Sequence, residues 1–148
     1  MKKIFKRSDV INQEKLEKDI QETFERLKQN KNNFKKRTEA QVYEDTVMGL
    51  VLEHYLMQND SKYKKATDLN STDYYHDLID TTTGDIHECK VTRSYMGWGS
   101  FYVQNRINRI LTEGWNHSKF MHVAIYDSKK GTYTYQGIKQ IRDYEQQS

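Results

Sequence analysis

Apolar residues recur at helical spacing early in the chain and at strand spacing later. Ile11, Leu16, Ile20, Phe24 and Leu27 stand three to five residues apart with charges between them, which predicts an amphipathic helix over 9–29, capped by Ser8 or Asp9. A polar, Asn-rich, basic connector follows over 28–37. Val42, Val47, Leu50, Val51 and Leu52 mark the buried side of a second helix over about 39–58. The stretch from about 58 to 73, rich in Asn, Asp, Ser and Lys, reads as a loop. Residues 74–92 read as a strand, a tight turn at 81–84 and a second strand. A glycine-and-aromatic segment at 92–100 leads into a third helix over 102–113, with Val103, Ile107, Ile110 and Leu111 inward. Residues 119–126 form the most strand-like run and predict a central strand covered on both faces. A short strand at 131–135 and a helix from 138 to about 145 complete the order, which fits an α/β domain with a mixed sheet flanked by helices.

At 148 residues the chain is one domain. Hydrophobic residues make up 35% and the mean hydropathy is −1.02, so the core is small and the surface polar. The net charge of +3 hides an asymmetry. Residues 1–37 carry 12 Lys or Arg against 6 Asp or Glu, while 38–148 carry 12 against 15. This divides the domain into a basic N-terminal helical arm, 1–37, and a core, 38–148. Basic segments attract phosphate backbones. Cys89 is the only cysteine, which excludes an internal disulfide and a Cys-based zinc site. The basic start lacks the apolar run of a signal peptide, and no stretch approaches the roughly 20 apolar residues of a membrane span, so a soluble, cytoplasmic protein is expected.

The hairpin carries the chemistry. With a turn at 81–84, residue 80 lies opposite 85, 78 opposite 87, and Asp77 opposite Glu88. The two carboxylates then share one face, and strand alternation adds Lys90 to it. Like charges directly opposite destabilise a sheet, and a divalent cation between them turns that repulsion into attraction. His87 and Cys89 face the other way, Cys89 as a small apolar residue. The five histidines show no H-E-x-x-H spacing, and there is no Walker loop or G-x-S-x-G elbow.

Tyr75-His76-Asp77-Leu78-Ile79-Asp80, a turn, then Ile86-His87-Glu88-Cys89-Lys90 resembles the PD-(D/E)xK nuclease superfamily, which includes many restriction endonucleases and archaeal-type Holliday-junction resolvases. His76 stands where the name-giving proline would be. The resemblance implies a restriction-endonuclease-like mixed central sheet flanked by helices. It implies an Mg²⁺-dependent endodeoxyribonuclease, with Mn²⁺ able to substitute, that leaves 3′-hydroxyl and 5′-phosphate ends. Asp77 and Glu88 are the expected metal ligands, helped by the Cys89 carbonyl, and Lys90 the residue that positions or deprotonates water. The family often draws a further glutamate from the preceding helix. Ala40-Gln41-Val42-Tyr43-Glu44 is similar to the resolvase pattern and favours Glu44, with Glu53 as runner-up.

Expected DNA contacts are Lys35, Lys36, Arg37, Arg93, Gln104, Arg106 and Arg109. Trp98, Tyr95 and Tyr102 are candidates for base stacking. A restriction- or homing-type enzyme that cuts both strands needs two sites, hence a homodimer. The alternatives are a junction-resolving, structure-specific nuclease and a non-catalytic DNA- or protein-binding module on a nuclease shell.

Overall fold

The structure is a computed structural model and describes residues 3–142. Its sheet has six strands: β1 (Ile4–Lys6), β2 (Tyr63–Lys65), β3 (Leu78–Asp80), β4 (Ile86–Thr92), β5 (Phe120–Asp127) and β6 (Thr132–Gln140). They lie in the order β1-β6-β5-β4-β3-β2. Only β4 and β5 are parallel; every other neighbouring pair is antiparallel. The described α-helices are α1 (Gln13–Lys28), α2 (Glu39–Asn59), the single turn α3 (Ala66–Leu69) and α4 (Phe101–Thr112), and α4 makes the crossover from β4 to β5. The chain is thus mixed α/β, and β5 is central as its strand-like sequence predicts. Among the described residues no helix is long and apolar enough to cross a membrane.

Strand alternation divides the core. Cys89 and Val91 of β4 join Leu16, Ile20, Val51 and Leu52 of α1 and α2. On the other face Val103, Ile107 and Ile110 of α4 cover Met121 and Val123. The parallel register sets Glu88 beside Met121 and Lys90 beside Val123, so both polar residues lie on the α4 side. Helix starts are chemically marked. The Asn12 side chain accepts from Lys15 N–H, Thr38 and Gln41 form a capping box, and Ser100 accepts from Val103 N–H. Asn12, rather than Ser8 or Asp9, therefore begins α1, and residues 7–9 form a 3₁₀ turn.

Three predicted segments are corrected. The start of the 1–37 arm is an edge strand: β1 pairs with β6, and Phe5 stacks between Tyr55 and Tyr133 at 3.8 and 5.2 Å. The predicted 58–73 loop contains β2 and α3. The predicted final helix from 138 is strand to Gln140, because Gly137, at φ 96°, and a register shift opposite His122 and Ala124 let β6 continue along β5. Residues 141–142 are helical as predicted, and the remainder of that helix, past 142, lies outside the described residues.

Behind the sheet, His87 Nδ1 and His122 Nε2 are 2.9 Å apart, and His122 Nδ1 is 2.7 Å from the Tyr135 hydroxyl. Burial lowers both imidazole pKa values, that of His122 to about 3. The unfolded chain binds these protons near 6.5, so the stabilisation is complete above that pH and is lost as pH falls toward 3. Each histidine contributes at most about 1.4 kcal/mol per pH unit to that slope. His122→Gln is expected to flatten the loss of stability between neutral and acidic pH, as urea unfolding across that range will show.

Candidate active site

The β3–β4 ladder pairs Leu78 with His87 and Ile79 with Ile86, the register anticipated from the turn. Gly84, at φ 79°, closes that turn. The ladder ends there. Beyond it, Asp77 turns its backbone carbonyl to Ala66 N–H at 3.0 Å and its side chain to β4, where Oδ2 accepts from Cys89 N–H at 2.9 Å. From Glu88 onward β4 has a strand partner, β5, on one edge only. The open edge lines a cavity of about 620 Å³ whose wall includes Glu53, Asp77, Glu88, Lys90, Arg93 and Arg106.

Three carboxylates meet in this cavity, and each is electrostatically uncomfortable. Burial raises the pKa of Glu53 well above its ordinary value, and the charges of Asp77 and Glu88 raise it further while Lys65 opposes. Burial also raises Asp77, against the Cys89 N–H and the charge of Arg106. Glu88 is pushed up to about 8 by burial and then by Asp77. Its principal compensation is Arg106: Nε donates to Oε1 at 3.0 Å, and Nη2 stands 2.9 Å from the same oxygen. Burial lowers the Lys90 pKa. Lys65, itself buried, is pinned by Asp19 at 3.4 Å, which also holds His54 at 2.6 Å, so α1, α2 and β2 are tied together behind Glu53.

Of the two candidate glutamates on α2, Glu53 lines the cavity and Glu44 does not. The two are nine residues apart, which is two and a half helical turns, so they project from opposite sides of α2. Glu44 is 64% exposed and pairs with Arg93 at 3.0 Å, whereas Glu53 is 8% exposed and faces the other acids. The sequence does carry a signal for it. Glu53, followed by His54, interrupts an apolar run, Leu50-Val51-Leu52 before it and Tyr55-Leu56 after it, and a buried carboxylate requires a reason.

The other expected contacts divide. Lys35 and Lys36 are exposed on the connector. Arg37 bonds Asp45 at 2.7 Å at the cavity wall, and Arg93 spans Glu44 and Asp45. Arg109 lies at the wall, paired with Glu113 at 3.3 Å, and Gln104 is half-buried on α4. Arg106 is turned inward onto Glu88, away from the solvent side where a helix-surface reading would leave it.

No three His, Cys, Asp or Glu side chains among the described residues stand in a ready-made metal-binding arrangement. Arg106 bonds Glu88 Oε1, and the Cys89 amide bonds Asp77 Oδ2. Yet Glu88 Oε2 is buried without a hydrogen-bond partner, and three carboxylates repel one another around it. An all-oxygen, multiply anionic donor set with an orphaned acceptor suits a hard divalent cation. No family model matches this chain, and neither a curated protein nor a solved structure matches it.

Proposed function

We propose that this chain is a metal-dependent endodeoxyribonuclease on a restriction-endonuclease-like fold. The observation that carries the reading is the convergence of Glu53, Asp77, Glu88 and Lys90 on the open edge of one strand, in a cavity rimmed by arginines. Asp77 and Glu88, with Glu53 from α2, would hold Mg²⁺ or Mn²⁺, and a cation bound there neutralises phosphate charge and acidifies water. Lys90, desolvated and shifted toward its neutral form, takes the proton of the attacking water. Arg106, once released by Glu88, is placed to stabilise charge on the phosphate. Arg37, Arg93 and Arg109 hold the flanking backbone. Attack at phosphorus with departure of the 3′ oxygen leaves a 3′-hydroxyl and a 5′-phosphate. Cutting both strands calls for two copies of the site, so the proposal includes a homodimer; sedimentation with and without DNA tests that part.

Supercoiled plasmid incubated with Mg²⁺ or with EDTA tests the chemistry. Nicked or linear product is expected only with Mg²⁺. Lys90→Ala is expected to slow it by about 10²- to 10⁴-fold while leaving DNA binding in EDTA intact. Wild-type turnover in that variant would remove Lys90 from the mechanism.

A further inference from the structure

Four exposed aromatic side chains pair off beside the candidate active site. Tyr75 meets Trp115, and Phe101 meets Tyr102, with exposures between 46% and 76%. Large rings are ordinarily withdrawn from water, and two exposed pairs call for a partner.

Their placement is set by α4. Phe101 and Tyr102 are its first two residues, with ring centroids 6.0 Å apart, and Tyr102 reaches the cavity wall. Trp115 lies just beyond its last residue, Thr112, and its ring meets Tyr75 at 5.1 Å. Tyr75 is two residues ahead of Asp77, and His117 N–H donates to His76 Nε2 at 3.3 Å, which fastens the two loops together. Twelve helical residues span about 18 Å. The two ring pairs therefore flank α4, one at its start and one beyond its end, with Arg106 midway along the helix. The separating cleft is charged, lined by Arg37, Arg93 and Arg109, so the two patches do not merge into the continuous apolar face that a protein partner would cover.

Intact duplex offers base edges in its grooves and keeps base faces stacked inside. Exposed rings bind base faces, and cationic grooves track the backbone. Building on the nuclease reading above, we infer that the substrate is DNA with unpaired nucleobases on either side of the scissile phosphate, splayed onto the Tyr75–Trp115 and Phe101–Tyr102 platforms.

A fluorescein-labelled blunt duplex and the same duplex with splayed single-stranded arms, each titrated with the full chain in EDTA, test this. The armed DNA is expected to bind at least about tenfold tighter, the weight of a single base–aromatic stack. It is also expected to quench tryptophan emission, which the blunt duplex leaves unchanged. Trp115→Phe should remove that quenching, because Trp98 is buried. Tyr75→Ala with Trp115→Ala, and Phe101→Ala with Tyr102→Ala, should each shrink the preference, with unchanged thermal melting to show that the fold is intact. Equal affinity for both DNAs overturns the inference. So does a dimer that these variants dissolve without any change in preference. A preference for armed DNA without Mg²⁺-dependent cutting would sustain the platforms and remove the nuclease, whereas cutting without preference would do the reverse.

Discussion

Glu53→Gln is expected to reduce Mg²⁺-dependent cleavage below detection while raising the melting temperature of the metal-free protein at pH 8. Both effects come from one cause. Glu53 is buried beside Asp77 and Glu88, and its pKa is raised by burial and by their charge. In the unfolded chain it ionises near 4.5. The native state holds the proton to higher pH, so the stability linked to it is complete below that value and is lost as pH rises through the folded one. Each pH unit between the two values is worth about 1.4 kcal/mol. Glutamine keeps the shape and drops the charge, so its advantage should be small at pH 4.5 and amount to several degrees at pH 8. Adding Mg²⁺ should reverse the order, because bound cation stabilises only the native state that holds it. Thermal melts at the two pH values, with and without Mg²⁺, check this. A variant less stable than the wild type at pH 8 would mean that Glu53 serves the fold instead of the site.

Arg106→Gln has the opposite signature. It leaves Glu88 buried, 4% exposed, beside Asp77 without its cation. Breaking a buried pair from one side costs about 3–5 kcal/mol, a fall in melting temperature on the order of 10 °C for a domain of this size. The loss should be greatest above pH 8, where Glu88 ionises, and should recede toward pH 5 as the carboxyl keeps its proton. In a Glu88→Gln background the same substitution should cost far less, and the double-mutant cycle isolates the pair. Mn²⁺ should bind Arg106→Gln more tightly than the wild type, since Arg106 and the ion seek the same oxygen. Additive effects in the cycle would show that the pair is not the source of the cost.

How legible the site was in the sequence follows from how local each determinant is. Asp77, Glu88 and Lys90 belong to one hairpin, and the turn chemistry of Thr81 to Gly84 makes their register readable locally. Glu53 depends on which side of α2 meets the sheet. That helix is buried over most of its second half, from Leu50 to Leu56, so apolar periodicity does not single out a face. Arg106 shows the same difficulty on α4: it flanks the Val103, Ile107 and Ile110 stripe, and only the open edge of β4 draws it inward. The helices α1, α2 and α4 and the strands β4 and β5 declare themselves through period. The edge strands do not. β1 and β2 are three residues each, carry Lys6, Lys64 and Lys65, and hold their place through Phe5, Tyr63 and the buried Lys65 paired with Asp19. The continuation of β6 past Tyr135 depends on a bulge that has no signal beyond Gly137.

Anomalous diffraction from crystals soaked in Mn²⁺ bears most directly on the shared carboxylate centre. A single peak bounded by Glu53, Asp77 and Glu88, with Arg106 moved off Glu88, is the expected result. Density with Arg106 still on Glu88 and no manganese among the three acids would contradict it.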